Sequence, residues 1–321
     1  VSFTPEKSNS KPIIALSRHR TKVWFISGVA VLISLIGFVC SWLDPEIGLP
    51  LRPGLDFTGG TQIRLERKCQ NNCKAINTSV VNDALRKLSS SNNDSSKKFL
   101  GARIQFLDEY KSLSVRLPSL SASESKSVIE SISNVAGPFV IEGQSVETIG
   151  PALGAKLLKT TLVSLLAAFS CVALYISLRF DRRFSFFALL ALLHDVLIVC
   201  GIFSWLGILL DLEVNSLFAV SLLTIAGYSV NDTVVVFDRI REINKQESIL
   251  SSKQKIDLAV SATLTRTLYT SGTTLLPLLA LIFFGGDTLY WFAIALAIGV
   301  VVGSWSSIAL VPSLLNLKKD K

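Results

Sequence analysis

Residues Phe184–Leu206 read FSFFALLALLHDVLIVCGIFSWL, an apolar run whose only carboxylic acid and imidazole are Asp195 and His194. A bilayer core takes about 20 apolar residues as a spanning helix, so this run is long enough to cross a membrane. Arg182 and Arg183 stand directly before it, and basic clusters of that kind mark the cytoplasmic ends of spans. Working outward, the same reading fits Trp24–Leu43, Leu157–Leu178, Val214–Phe237, Leu268–Phe284 and Leu289–Val311. The 321 residues are 50% hydrophobic and only 17% charged, against about 25% charged in soluble domains. That excludes a soluble globular protein and predicts a polytopic α-helical membrane protein with six transmembrane helices.

Loop charges set the orientation. Lys7, Lys11, Arg18, Arg20 and Lys22 precede the first span; Arg179, Arg182 and Arg183 separate the second from the third. Arg239, Arg241, Lys245, Lys253 and Lys255 lie between the fourth and fifth, and Lys318, Lys319 and Lys321 end the chain. The complementary short loops hold Asp211 and Glu213, then Asp287. The positive-inside rule therefore places both termini in the cytoplasm. The net charge of +8 is accounted for by this topology, with membrane lipid as a partner and no nucleic acid. The expected order is a cytoplasmic tail (1–23), a first span that reads as an uncleaved anchor (24–43), an extracytoplasmic domain (44–156), a five-helix membrane domain (157–312) and a cytoplasmic tail (313–321).

The outer block alternates between two periods. Gly60–Arg67, Ala102–Leu107, Ser112–Leu117 and Phe139–Thr148 read as strands, with a turn at Asp108–Lys111. Lys74–Leu88 and Ser121–Val135 read as helices, the second opened by Ser121 with Glu124 three residues on, a capping-box spacing. The order βαββαβ is the ferredoxin-like α+β pattern. Ser89–Ser96 reads as an exposed loop. Cys69 and Cys73 have no further Cys or His near them to complete a metal site; they are either two free thiols or, outside the membrane, a small disulfide.

Ala295, Gly299, Gly303 and Ser307 form a small-residue stripe on the sixth span, suited to close helix contact with an internal neighbour or another chain. Ionisable groups in hydrocarbon cost about 2.5–3.5 kcal/mol each and are functional candidates by default. His194 and Asp195 lie near the middle of span three, Asp232 in span four and Arg266 early in span five. With span five starting nearer Leu258 than Leu268, at 1.5 Å per residue Asp232 and Arg266 fall roughly 9 and 12 Å from the same membrane face. Ser221, Thr224, Tyr228 and Asn231 on span four, with Thr263, Thr267, Thr270, Ser271 and Thr274 on span five, add a hydroxyl-lined polar seam. A carboxyl set in hydrocarbon beside a guanidinium is placed to take up and give up protons; the alternative is a static pair that fixes helix register. His194–Asp195 reads either as a secondary proton site or as a structural contact between helices.

Gly54-Leu-Asp-Phe-Thr-Gly-Gly-Thr61, Glu147-Thr-Ile-Gly-Pro151, Leu193-His-Asp-Val196, Gly227-Tyr-Ser-Val-Asn-Asp-Thr-Val-Val-Val-Phe-Asp-Arg-Ile-Arg-Glu242 and Leu264-Thr-Arg-Thr-Leu-Tyr-Thr-Ser271, in that order, resemble the SecD/SecF family of protein-export membrane proteins in the resistance-nodulation-division superfamily. The resemblance covers nearly the whole chain. It implies six spans with a large outer domain after the first, proton coupling through Asp232 and Arg266, and no cofactor or metal. It implies as partners a SecD subunit that contributes a further intramembrane Asp, the SecYEG translocon, and exported unfolded polypeptides. The membrane implied is the bacterial plasma membrane or a thylakoid membrane, and the role is energy coupling rather than enzymatic. Two other readings compete: a proton-driven efflux half-transporter for lipid or small molecules, and an intramembrane aspartyl protease built on Asp195 and Asp232, whose depths differ.

Overall fold

The computed structural model describes residues 16–69, 73, 75–91, 99, 102–107, 110–247 and 249–315. Contacts divide the chain into a helical unit (residues 1–52 and 163–321) and an α+β unit (residues 53–162).

The α+β unit opens with a short helix, α2 (Leu55–Thr58), and strand β1 (Gly60–Arg67). Helix α3 (Thr78–Ser91), strands β2 (Arg103–Leu107) and β3 (Ser112–Leu117), helix α4 (Ala122–Ala136) and strand β4 (Phe139–Ile149) follow. The strands form one antiparallel sheet in the order β2-β3-β1-β4, the ferredoxin-like arrangement. Alternation on β1 and β3 sets Ile63 opposite Val115 and Leu65 opposite Leu113. These side chains are buried with Val81 and Leu85 of α3 and Val128 and Ile132 of α4, each contributing about 1.5–3 kcal/mol of hydrophobic stabilisation.

The capping box on α4 is formed: Ser121 Oγ accepts from the Glu124 N–H at 3.3 Å, and Glu124 Oε2 accepts from the Ser121 N–H at 2.7 Å. Helix α3 starts four residues later than Lys74, because Asn77 Oδ1 takes the Ser79 N–H and caps it there. It also continues through Ser91, so the first residues of the Ser89–Ser96 segment are helical; the rest of that segment lies outside the described residues, as do residues 108 and 109 of the Asp108–Lys111 turn. Cys69 and Cys73 are joined as a disulfide.

Gly59 and Gly60 adopt φ +69° and +124°, a region that glycine alone enters freely. A Cβ on Gly60 would lie 2.6 Å from the Leu117 carbonyl oxygen, and one on Gly154 would lie 2.8 Å from the Gly59 nitrogen. The double glycine is thus needed both for its turn and for the close approach of backbone around it.

Among the described residues six helices are long and apolar enough to cross a membrane: Arg20–Leu43 (α1), Pro151–Arg179 (α5), Arg182–Leu209 (α6), Ser216–Gln246 (α7), Ser252–Phe284 (α8) and Leu289–Leu314. The last comprises most of α9 (Gly286–Trp305), a π-helical turn (Ser306–Leu310) and α10 (Val311–Leu314). Helix α8 begins far before Leu268, at a capping box of Ser251 and Gln254, because its first turns carry Lys253, Lys255 and Asp257 and so escape a purely apolar reading. Helices α1 and α5 likewise begin before the apolar run that marks each of them.

Lipid tails are as apolar as leucine, so membrane helices associate through close packing and hydrogen bonds. Both are visible here. A Cβ on Gly299 would fall 2.2 Å from Ile225 Cγ1, and one on Gly303 would fall 3.2 Å from Ser229 Cβ; the small-residue stripe of α9 therefore packs internally, on α7. Trp24 Nε1 donates to Ser313 Oγ, Trp305 Nε1 to Ser27 Oγ and Trp205 Nε1 to the Ile33 carbonyl, which pins α1 along its length.

Candidate functional site in the membrane bundle

Helices α7 and α8 are joined by the short loop 247–251. Asp232 and Arg266 stand equally far from the ends Gln246 and Ser252, about 21 Å along each helix. Both helices run past the apolar runs that mark them. Asp232 is 3% exposed, and its Oδ2 is buried without a hydrogen-bond partner. Arg266 is exposed on the surface of α8, and among the described residues no ion pair joins it to Asp232. Thr224 and Asn231, on the turns of α7 flanking Tyr228, are exposed as well.

The hydroxyl groups sort into two kinds. Tyr228 OH donates to Ser271 Oγ at 2.9 Å, and Ser271 Oγ lies 2.6 Å from Ser304 Oγ, a chain across α7, α8 and α9. Ser221, Thr224, Thr263, Thr270 and Thr274 instead donate to carbonyls of their own helices. Thr267 is buried beside this chain, and Ser271 Oγ also donates to its carbonyl. The continuous element of the seam is therefore Tyr228–Ser271–Ser304, of which Ser304 was not singled out by the sequence. Thr233, next to Asp232, is buried with an unpartnered Oγ1.

His194 and Asp195 sit at mid-length of α6. Asp195 is fully buried; its Oδ2 accepts from Ser229 Oγ of α7 at 2.6 Å and from Ser306 Oγ, in the π-turn, at 2.7 Å. His194 Nδ1 lies 2.8 Å from Asp195 Oδ1, while its Nε2 is buried without a partner. No hydrogen bond joins Asp195 to Asp232 among the described residues, so the two carboxyls do not form the proton-sharing dyad of an aspartyl protease. Among the described residues no cluster of His, Cys, Asp and Glu fit to hold a metal ion is found. Ser229 and Ser306 went unremarked in the sequence reading; the grouping of Ser304, Ser306 and Ser307 around Trp305 is the signal that could have drawn attention to the second.

Asp238 at the inner end of α7 accepts from Arg179 of α5 at 2.9 and 3.0 Å, an interfacial ion pair. Arg52, 5% exposed, pairs with Asp211 and with Glu46, and its carbonyl accepts from the Val214 N–H, which fastens the segment after α1 to the α6–α7 loop.

The profile described as "Protein export membrane protein SecD/SecF, C-terminal" matches residues 128–320, and the "SecD/SecF GG Motif" matches residues 47–70. The chain belongs to the SecD/SecF family. Within it, the chain is 72% identical over 320 residues to "Protein translocase subunit SecF" of Prochlorococcus marinus, covering 100% of both chains. It is 38% identical to the protein of the same name from Synechocystis, covering 93% of this chain and 92% of that one. Among solved structures, SecDF from Thermus thermophilus, described as a translocon-associated membrane protein, superposes with TM-score 0.73 at 31% identity over 92% of this chain. That match spans 37% of the SecDF chain. The family's GG motif contains Gly59 and Gly60, and its C-terminal region contains His194, Asp195, Asp232 and Arg266. Together with the six apolar helices, these relatives make the chain a multi-pass membrane protein.

Proposed function

We propose that the chain is a SecF-type subunit of the Sec translocation machinery, working with a SecD-type membrane partner to turn the proton-motive force into movement of exported polypeptides beside SecYEG. Full-length similarity to translocase subunits named SecF supports the assignment, as does likeness to a chain that is about two and a half times as long and carries both parts in its name. One observation carries the partner: Arg266, Asn231 and Thr224 are exposed on spanning helices. A lipid-facing guanidinium costs about 2.5–3.5 kcal/mol, so this face is covered by a second membrane protein rather than by acyl chains.

The same geometry supports a mechanism. Asp232 takes a proton, its attraction for Arg266 falls, and the α7–α8 pair and the covering partner repack. Each proton crossing 100 mV supplies about 2.3 kcal/mol, enough to bias a two-state rearrangement by more than tenfold and to drive the α+β unit between positions. The chain's own contribution is the carboxylate, the guanidinium and the packed helices; no cofactor enters. Purification from native membranes through a C-terminal tag tests the assignment. A SecD-type subunit is expected in the complex, and its absence together with the absence of every Sec component would overturn it.

A further inference from the structure

We propose that His194 and Asp195 form a second proton-binding site in the membrane bundle, entered at His194 Nε2. Its use in energy coupling rests on the proton-driven reading above; the site itself rests on geometry. His194 is 7% exposed and its Nε2 has no partner, while Nδ1 is engaged by Asp195. A buried polar atom left unpaired in a native structure needs a reason, and here Nε2 is the one ring atom open to a proton. Asp195 Oδ2 accepts from Ser229 and Ser306, so a carboxylate is supported at this place by donors from two further helices.

The surroundings leave this pair to balance its own charge. Helix α6 packs against α1, α7, α9, the π-turn and α10, and its first turn, through Ser185, against the end of α5 at Ile176. Residues 23–39 of α1, residues 292–310 of α9 with the π-turn, and residues 311–314 of α10 contain no titratable side chain; α7 brings only Tyr228 and Asp232 within a turn of Ser229. A proton arriving at Nε2 makes an imidazolium whose counter-charge is Asp195. Passage of the Nδ1 proton to Oδ1 then leaves an Nε2–H imidazole and a carboxylic acid. One proton has been added, no other bond has changed, and no co-reactant is required. The hydroxyls of Ser229 and Ser306 feel that change directly. Ser229 lies one turn from Asp232 on α7, and Ser306 sits at the start of a π-turn, an irregularity found frequently at functional sites. A proton on this pair therefore acts on the helix that carries Asp232.

The chain has two histidines, so in the full-length His19→Gln protein, reconstituted in lipid nanodiscs, ¹⁵N-histidine NMR reads His194 alone. The site predicts a reversible change of the Nε2 resonance from unprotonated to protonated as the sample is acidified, displaced at least tenfold in proton affinity by Asp195→Asn. Should Asp195→Asn fail to fold, the Ser229→Ala, Ser306→Ala double variant serves, with a displacement of threefold or more. A single unchanged tautomer over the whole range, or the same titration in the variants, would overturn the proposal. The readout involves neither partner nor export. Its failure removes this site and leaves the Asp232 account standing, whereas full export by Asp232→Asn would remove that account and leave a titrating His194.

Discussion

Asp232 and Arg266 are equidistant from the loop that joins their helices, yet the carboxylate is buried inside the bundle and the guanidinium faces outward. The pair is therefore open: Oδ2 of Asp232 has no hydrogen-bond partner, and the cation beside it is available to whatever covers α8. A closed ion pair fixes helix register. An open one leaves a carboxylate whose protonation changes a long-range attraction, which is what a proton-driven rearrangement needs.

Arg266→Ala removes that attraction while keeping the fold of α8, because the Arg266 side chain is itself exposed. Export driven by a proton gradient is expected to fall about 5–150-fold, the range of a 1–3 kcal/mol coupling. Immunoblots should show unchanged amounts of the chain in membranes. Wild-type export rates in this variant would mean that Arg266 only anchors a neighbour.

A photo-activated crosslinker at Asn231, which is exposed on α7, is expected to capture a membrane protein of the complex upon irradiation if the proposed partner covers this face. Adducts with lipid alone would contradict a protein partner on this face.

The fold was largely legible in the sequence for a physical reason. Spanning length and loop charge are one-dimensional quantities, and β1, β3 and α4 announce themselves through period-two alternation and the Ser121–Glu124 box. The faces of the spanning helices were not legible. In a membrane, lipid-facing and protein-facing positions are equally apolar, so nothing in the pattern tells that Arg266 points outward while Asp232 points inward. For the same reason Ser229 and Ser306 looked like two hydroxyls among many; their meeting at Asp195 depends on the π-turn that rotates Ser306 into place. The small-residue stripe on α9 was visible as a stripe, but only the approach of Ile225 to Gly299 shows which helix it serves.

Gly299→Ala places a methyl group 2.2 Å from Ile225 and is expected to lower the stability of the purified protein by about 1–3 kcal/mol, as overpacking does. Ile225→Ala in the same chain should return part of that loss. Thermal unfolding of the two single variants and the double variant measures the coupling; strict additivity would contradict the α7–α9 contact.

Gly60→Ala and Gly137→Ala separate strain from collision in the α+β unit. Both glycines have positive φ, but only at Gly60 does a Cβ meet backbone, the Leu117 carbonyl at 2.6 Å. Each substitution costs about 1–3 kcal/mol for its backbone conformation, and Gly60→Ala should cost more. Limited proteolysis of the full chain is expected to cut the Gly60→Ala unit fastest; equal rates would show that the close approach at β3 relaxes without penalty.

The most direct measurement compares Asp232→Asn with the wild type in inverted membrane vesicles, following completion of export with and without an imposed proton gradient. The account predicts that the gradient accelerates export in the wild type and has no effect in Asp232→Asn, with equal amounts of complex in both membranes. Gradient-stimulated export at the wild-type rate in Asp232→Asn would contradict it and leave Asp232 and Arg266 a structural pair.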